Sequence, residues 1–361
     1  MAELMKLEEK AVYSLRDLYQ RSGYSQFKMS KFESYDLYMQ NKDFLVSDGI
    51  ITFTDLDGTL MALKPDVTLS IVKNFRKDQT PIQKVYYNEN VYRVAGASHS
   101  YREIMQTGLE CLGDVGLYEI CEVILLAANS LRAISESFVL DISHMQIVWD
   151  LINASSIPYE KQQFVLEAIR DKNEDGIKDY PLLKKLIQSS GRIKDVLPIL
   201  SDICRSDTSA KAIQHLNIID QILAENDLSD RVQLDFSVVN DMNYYNGIVF
   251  RGYIEGIPSS ILSGGQYDKL MKKMGKNACG IGFAVYLDQL ERLDVRCRDY
   301  DTDTVILYSE NESILSLYHN ASELSSEGQS VLVLKQIPDG LRYRRLMRFN
   351  NGRIEILEND G

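Results

Sequence analysis

The fold is decided by Asn243-Tyr244-Tyr245-Asn246-Gly247-Ile248-Val249-Phe250, Ser263-Gly264-Gly265-Gln266-Tyr267-Asp268 and Gly280-Ile281-Gly282-Phe283-Ala284-Val285, three segments within residues 235–293. The β-rich run 248–253 lies between turn signals at Asn246-Gly247 and at 255–258, which predicts antiparallel strands. Gly264-Gly265 allows the backbone to approach a ligand or another strand closely. The third segment alternates small and apolar residues before leucines at helical spacing, so it predicts a strand that runs into a helix.

The composition bounds the class of protein. With 361 residues, of which 45% are hydrophobic, the chain can bury a large core in two or three domains. Its five cysteines form no CxxC pair and its four histidines are scattered, so we expect neither a disulfide framework nor a metal site, and a reducing cytoplasm fits. A net charge of −12 argues against nonspecific nucleic-acid binding. The N-terminus lacks an apolar signal core, and no apolar run approaches the ~18 residues of a membrane span, so we expect no membrane or export role.

The N-terminal third predicts a helix, a strand and a hairpin. Apolar residues recur at helical spacing over 7–19, and Gly23 follows as a stop signal. The aromatic, alternating run 26–38 predicts a strand. Two β-rich runs, 50–54 and 59–63, flank Asp57-Gly58, which is a strong hairpin signal.

The same hairpin contains Asp55-Leu56-Asp57-Gly58-Thr59, which resembles the signature of haloacid-dehalogenase-type phosphatases. That chemistry needs the aspartates at the carboxyl end of a buried parallel strand, with later acids to hold Mg²⁺. Here a second strand-like run follows at once, and no later apolar strand ends in paired acids. The pattern therefore favours a turn over a phosphatase site.

A strand over 101–110 carries a candidate binding face. Alternation places Gln106, Gly108 and Glu110 on one side of this strand, where the two polar side chains can hold a small polar or cationic ligand. A solvated strand face fits the same pattern. A long helix is predicted over 117–138 and a strand over 139–148, in which a lone His144 is typical of a hydrogen-bonded structural residue.

The remaining segments set the domain boundaries. Residues 149–230 are almost wholly helical in pattern, which predicts a helical insertion, and 231–239 return to strand. Beyond residue 298 a strand, a helix and a strand precede a basic cluster and a last strand over 353–357. The cluster, typical of a solvated or interface face, consists of Arg342, Arg344, Arg345 and Arg348. We expect a core over 1–298, with the insertion at 149–230, and a small C-terminal α/β region over 299–361.

Taken in order, these segments resemble the catalytic core of the histidyl-tRNA synthetase family, a class II aminoacyl-tRNA synthetase. The resemblance covers residues 5–293 and implies an α+β fold whose antiparallel sheet is flanked by helices. Leu63-Lys64-Pro65-Asp66-Val67-Thr68 resembles the element that holds the amino group of histidine, and Gln106-Thr107-Gly108-Leu109-Glu110 the strand that contacts its imidazole and amine. The histidine-binding residues implied are Asp66, Thr68, Gln106, Glu110, Tyr245 and Tyr267.

The departures from the family concern residues that handle ATP. Asn240, Gln266 and Gln289 stand where the family has arginines, with Arg292 displaced by one helical turn from the last of them, and Ala95 replaces an acid. Arg93, at the position of the motif 2 arginine, remains as a residual phosphate-binding residue. Activation of an amino acid develops negative charge on phosphate, and fixed cations are usually the largest catalytic contribution there. The pattern implies a histidine pocket without the means of activation.

This combination resembles the synthetase-like regulatory subunits of ATP phosphoribosyltransferases. These are catalytically silent relatives that assemble with a short catalytic subunit in the first step of histidine biosynthesis and confer feedback inhibition by histidine. The resemblance implies a non-enzymatic chain without a cofactor, L-histidine as effector, and a homodimer within a hetero-oligomer that does not bind tRNA. The alternative is a histidyl-tRNA synthetase-like enzyme that activates histidine with ATP through Arg93 and Arg292.

Overall fold

The computed structural model describes residues 5–45, 49–76, 80–94, 100–239, 245–293, 300–310, 312–350 and 352–359. The chain divides into two compact units, Met1–Asp294 and Val295–Gly361. Cys111, Cys121 and Cys204 are buried thiols that form no disulfide among the described residues. Among the described helices, none has both the length and the apolar character that crossing a bilayer requires. The interpretations placed on Ala95, Asn240, Asn243, Tyr244 and Cys297 fall outside the described residues.

Most of the first unit's described residues lie in regular elements. Its strands are β1 (Ser25–Gln26), β2 (Phe32–Ser34), β3 (Thr52–Thr54), β4 (Leu60–Leu63), β5 (Ile82–Val94), β6 (Tyr101–Gly113), β7 (Phe138–His144), β8 (Gly191–Arg192), β9 (Val232–Leu234), β10 (Ile248–Ile254), β11 (Leu262–Gln266) and β12 (Cys279–Tyr286). Its helices are α1 (Leu7–Arg21), α2 (Tyr35–Gln40), α3 (Thr68–Asn74), α4 (Leu117–Ile134), α5 (Met145–Ala154), α6 (Tyr159–Arg170), α7 (Pro181–Ile187), α8 (Ile193–Ile203), α9 (Asp207–Glu225) and α10 (Asp268–Lys273). Short 3₁₀ helices occupy Lys42–Phe44, Asp175–Ile177 and Leu287–Arg292.

The main sheet has the strand order β1-β5-β6-β12-β11-β10-β7-β9-β8 within the described ranges. Every pair from β5 to β7 in this order is antiparallel, whereas β1 joins β5 and β9 joins β7 in parallel. The fold class predicted from the sequence, an antiparallel sheet flanked by helices, is therefore confirmed.

Helices α1 and α4 cover one face of this sheet. Tyr19 of α1 is fully buried, and its hydroxyl lies 3.0 Å from the Ser130 hydroxyl of α4. Its ring packs edge-on against Phe283 of β12, with 6.1 Å between centroids, and Phe283 packs in turn on Phe250 of β10. Because successive residues of a strand alternate between faces, the neighbours of these aromatics point to the opposite side of the sheet.

A small three-stranded sheet, ordered β2-β4-β3, contains the predicted hairpin. Thr54 pairs with Leu60, Gly58 has φ +87°, and Asp57 Oδ1 accepts the Thr59 N–H at 2.9 Å. This hydrogen bond lowers the pKa of the exposed Asp57. The Asp55 to Thr59 segment is thus a hairpin turn and lacks the parallel strand end that a phosphatase site needs.

Several predicted boundaries were wrong. The strand expected over 26–38 is interrupted, because Tyr35 begins α2 and its spacing places the fully buried Tyr38 against the core. The strand over 139–148 ends at His144, and Met145 begins α5, whose first N–H bonds to Gly247 O at 2.8 Å. The helix over 117–138 ends at Ile134, and the strand over 231–239 is only β9.

The second unit is a small α/β structure. Its described elements are β13 (Thr302–Leu307), α11 (Ile314–Ser326), β14 (Val331–Leu334), β15 (Tyr343–Asn350) and β16 (Arg353–Asn359), in the sheet order β14-β13-β15-β16. Most of the basic cluster lies on β15, a strand that the sequence interpretation did not include. Leu346, Met347 and Phe349 of β15 are buried, whereas Arg344 and Arg348 are exposed. Arg344 and Arg348 therefore point to solvent from this strand.

Candidate functional site

The antiparallel centre of the main sheet carries small side chains on the face opposite α1 and α4. Gly108 of β6 pairs with Ala284 of β12, and Ala284 pairs with Ser263 of β11. In the next row toward Glu110, Gly282 pairs with Gly265. Directly opposed residues of antiparallel strands share a face, so these small residues form one floor. A cavity of about 550 Å³ lies over it.

Longer side chains stand around this floor, and each residue that the sequence singled out for binding is one of them. The structure brings these seven residues to the same cavity: Asp66, Thr68, Arg93, Gln106, Glu110, Tyr245 and Tyr267. They come from the connection between β4 and α3, from β5 and β6, and from the residues next to β10 and β11. The antiparallel sheet thus assembles one site from segments about 200 positions apart in the chain.

Glu110 is the most buried acid of the cavity, at 2% exposure. Its Oε1 accepts a hydrogen bond from the Thr68 hydroxyl at 2.7 Å, and its Oε2 accepts one from the Tyr267 hydroxyl. Burial raises the pKa of Glu110 to about 8, although these two hydrogen bonds oppose the rise, and the charge of Asp66 adds to it. The ionised form of Glu110 is costly in this buried setting. A cation or a strong hydrogen-bond donor that enters the cavity would stabilise this ionised form and would therefore bind favourably beside Glu110.

Glycines make room for the functional side chains. A Cβ atom at Gly282 would collide with Glu110 Oε2, and one at Gly280 would collide with the Tyr267 ring. At Gly265 a Cβ atom would lie 2.7 Å from the Tyr245 ring. Glycine is therefore required at these three positions, because the Glu110 carboxylate and the rings of Tyr245 and Tyr267 occupy the space that a side chain would fill.

Asp66 lies where the chain enters α3. Its Oδ1 accepts the Leu69 N–H at 2.8 Å, which satisfies one donor of the first helical turn. Burial raises the pKa of Asp66, and the positive charge of Arg93 opposes this rise. Arg93 is oriented by a 3.1 Å hydrogen bond from its Nε to Pro65 O. Asp66 and Glu110 thus give the cavity two acids in different electrostatic settings.

Arg251 is a second guanidinium group at the cavity. It lies on β10 opposite Ser263, at the end of the small-residue row. Burial raises the pKa of Tyr286, and the charges of Arg93 and Arg251 both oppose that rise, so both arginines act on the same part of the cavity. Among the described residues, no hydrogen bond or ion pair engages the Arg251 side chain.

Gln106 supplies an unused donor. The residue is 3% exposed, and its Nε2 has no hydrogen-bond partner within the described part of the chain. Buried amide groups are nearly always hydrogen-bonded in native proteins. The free donor therefore indicates a polar ligand group in the cavity.

The sequence interpretation missed Tyr87, Arg251, Ser263 and Tyr286, all of which line the cavity. Arg251 left one signal, since it is the only charged residue in the otherwise β-forming run 248–254. The two described residues at the positions of family arginines engage other groups. Gln266 donates to Asp268 at 2.8 Å, and Gln289 donates to Asp288 at 3.1 Å. No group of three or more potential metal ligands occurs in the described ranges.

The chain is similar to histidyl-tRNA synthetases and to ATP phosphoribosyltransferase regulatory subunits. A family model described as Histidyl-tRNA synthetase matches residues 2–290. The ATP phosphoribosyltransferase regulatory subunit of Clostridium kluyveri is 27% identical over 336 residues, which cover 87% of this chain and 85% of that protein.

Two solved structures share the fold. An ATP phosphoribosyltransferase regulatory subunit/histidyl-tRNA synthetase from Bacillus halodurans has a TM-score of 0.76 at 23% identity and covers 95% of this chain and 93% of its own. A chain of the ATP phosphoribosyl transferase (HisG:HisZ) complex from Thermotoga maritima has a TM-score of 0.61 at 21% identity, over 76% of this chain and 96% of its own.

Proposed function

We propose a regulatory function for this chain, which belongs to the histidyl-tRNA synthetase family. It acts as the non-catalytic regulatory subunit of an ATP phosphoribosyltransferase in the cytoplasm, is required for activity of the short catalytic subunit, and confers feedback inhibition by L-histidine. The relatives that carry the name of this regulatory subunit support the role. The named complex of a structural neighbour supports partnership with a catalytic subunit.

The observation that carries the proposal is the pairing of two acids with two guanidinium groups over one floor of small residues. An amino acid is a zwitterion, so a specific pocket needs groups for an ammonium and for a carboxylate. In the proposal Asp66 holds the ammonium, and Arg93 and Arg251 hold the carboxylate together with the free Nε2–H donor of Gln106. Glu110 then accepts an imidazole N–H, which distinguishes histidine from apolar amino acids of similar size.

The same arrangement favours sensing over activation. Attack of a carboxylate on ATP places negative charge on the α-phosphate, which fixed cations must stabilise. In the proposal the two cavity arginines engage the ligand carboxylate, while Gln266 and Gln289, where the family has arginines, are neutral and are bound to neighbouring acids.

Feedback requires more than occupancy of the cavity. L-histidine changes the activity of an assembled complex only if it binds the active and the inhibited states with different affinity. The proposal therefore predicts that addition of the catalytic subunit changes the affinity of this chain for L-histidine, and that L-histidine changes the affinity between the subunits by the same factor.

Calorimetry of the full chain with L-histidine and with histamine, which lacks the carboxylate, tests the pocket. L-histidine should bind about tenfold more tightly than histamine or better, because charge-assisted hydrogen bonds contribute ~1.5–3 kcal/mol. Arg251→Gln should remove most of this preference, whereas Arg132→Gln, an exposed control at the end of α4, should keep it. Absence of L-histidine binding by both the chain and its complex would overturn the sensing proposal.

Two further assays separate regulation from catalysis. The chain should co-purify with the short catalytic subunit of its host and raise that subunit's activity, and L-histidine should lower the activity of the pair. Histidine-dependent exchange between ATP and pyrophosphate by this chain alone should be absent. Robust exchange would contradict the regulatory role and favour an enzyme that activates histidine.

A further inference from the structure

A second cavity, of about 400 Å³, lies where β7 ends. His144 at the end of β7 pairs with Ile248 of β10, and both line this cavity together with Gln266 of β11. These residues alternate with those of the small-residue floor along their strands, so the second cavity lies on the helix-covered face of the sheet. The two cavities thus use opposite faces of the same strands.

His144 is a buried polar residue that lines this second cavity. The side chain is only 4% exposed, and its Nδ1 has no hydrogen-bond partner among the described residues. Burial lowers the pKa of His144 to about 3, and the nearby His215 contributes to the decrease. The imidazole is therefore neutral, and it differs from the hydrogen-bonded structural histidine that the sequence predicts. A buried polar atom without a partner indicates a ligand or solvent group that completes it.

Two helices begin at the same cavity. Gly116, the N-cap of α4, lines it, and so does His144, the N-cap of α5. These helices contain 18 and 10 residues. The N-terminus of a helix carries a partial positive charge and free backbone N–H groups, so it favours anions.

Helix α9 adds basic side chains to the lining. Lys211 and His215 lie one turn apart and face the cavity, and burial lowers the pKa of His215, with the charge of Lys211 adding to this effect. No aspartate or glutamate lines the cavity within the described ranges. Two acids on adjoining elements are already engaged, since Glu119 accepts the Gly116 N–H at 2.8 Å and Asp268 accepts the Gln266 amide.

We propose that this second cavity binds a small oxyanion of the phosphate type through Lys211, His215 and a hydrogen bond from Nδ1–H of His144. The beginnings of α4 and α5 contribute positive potential, and the size of the cavity admits one or two tetrahedral anions or the phosphoryl end of a nucleotide. The site is separate from the proposed histidine pocket and does not depend on it.

The test follows the imidazole resonances of the full chain by NMR at constant ionic strength. Phosphate, pyrophosphate and AMP are titrated in turn, with chloride as the reference anion. A bound oxyanion should shift the His215 and His144 signals and raise the pKa of His215, because negative charge stabilises an imidazolium ion. Stronger binding of pyrophosphate than of AMP would identify a free inorganic ion as the ligand, and the reverse would identify a nucleotide phosphoryl group.

Matched variants locate the binding. Lys211→Met should weaken phosphate binding about tenfold, the value of one charge-assisted hydrogen bond. Lys194→Met, a control on the neighbouring helix α8 outside this cavity, should leave binding unchanged. His215→Gln should weaken binding as well, whereas His319→Gln in the second unit should not. These variants are preferred to changes at the buried His144, whose replacement endangers folding.

Competition with L-histidine separates the two cavities. Addition of L-histidine should leave the phosphate affinity of the second cavity measurable and sensitive to Lys211→Met. Absence of any imidazole response to all three phosphate compounds would overturn the proposal. Phosphate binding that L-histidine abolishes and that Lys211→Met and His215→Gln leave unchanged would also overturn it, because the anion would then occupy the other cavity.

Discussion

Replacement of Glu110 with glutamine should change how the stability of the fold depends on pH. The carboxyl group is buried against Thr68 and Tyr267, and its pKa of about 8 lies well above the ordinary value of 4.5. Glutamine keeps the volume of the side chain but does not titrate. The hydroxyls of Thr68 and Tyr267 can each donate or accept, so they can rotate to satisfy the new amide.

The direction in which stability changes with pH follows from which state of the chain holds the proton of Glu110. Between pH 4.5 and pH 8 the folded protein keeps a proton on Glu110 that the unfolded chain releases. This group's contribution to stability is therefore greatest below about pH 4.5, decreases as the pH rises toward 8, and is constant above that. The difference between the two pKa values corresponds to at most about 5 kcal/mol, and relaxation around the ionised carboxylate reduces it.

Urea unfolding of the wild type and of Glu110→Gln at pH 5, 7 and 9 measures this effect. The variant should gain stability relative to the wild type by about 2–4 kcal/mol between pH 5 and pH 9, because part of the total change already occurs below pH 5. Glu160→Gln, an exposed control on α6, should show the same dependence of the free energy of unfolding on pH as the wild type. Parallel curves for Glu110→Gln would show that Glu110 is ionised in the folded protein at pH 5, which would refute the account of its burial.

Three other substitutions test the surroundings of the site. Gly265→Ala should destabilise the fold by about 1–3 kcal/mol and weaken L-histidine binding, because the added methyl group meets the Tyr245 ring, and calorimetry that finds unchanged affinity would contradict this. Lys64→Met should lower the free energy of unfolding in urea by about 3 kcal/mol, because the side chain of Lys64 is 1% exposed and its Nζ lies 2.5 Å from Glu89 Oε2. An unchanged free energy of unfolding would mean that this ion pair does not stabilise the fold. Gly58→Ala should destabilise the hairpin by about 1 kcal/mol, because Gly58 has φ +87°, which an alanine adopts only at a cost. Hydrogen exchange of the β3 and β4 amides should then become faster, while exchange in the rest of the chain is unchanged.

Alternation along a single strand was sufficient to predict part of the site. Gln106, Gly108 and Glu110 share a face of β6 because successive side chains of any strand alternate, whatever its neighbours are. The hairpin at Gly58 was predictable for a similar reason, since a short turn that ends in a glycine of positive φ depends on local backbone preferences. Such features need no knowledge of tertiary contacts.

Features that depend on pairing were not predictable in this way. Arg251 reaches the cavity only because β10 pairs with β11 in a register that aligns it with Ser263. The boundary at His144 depends on a hydrogen bond from Met145 N–H to Gly247 O, a contact between segments about 100 positions apart. The apolar run after residue 138 is compatible with a strand or a helix, and only these long-range contacts decide between them.

The position of Arg251 changes the argument about function that the sequence supports. From the sequence, a pocket without activation chemistry is inferred from the missing cations at Asn240, Gln266 and Gln289. The structure adds a cation at a different position, so the number of positive charges alone does not distinguish sensing from activation. What distinguishes them is where the charges act. Arg93 and Arg251 both oppose the rise in the pKa of Tyr286, and Arg93 also opposes the rise in the pKa of Asp66. In the proposed sensor both guanidinium groups contact the carboxylate of the amino acid. These contacts hold the carboxylate in place and lower its nucleophilicity, so they oppose its attack on a phosphate.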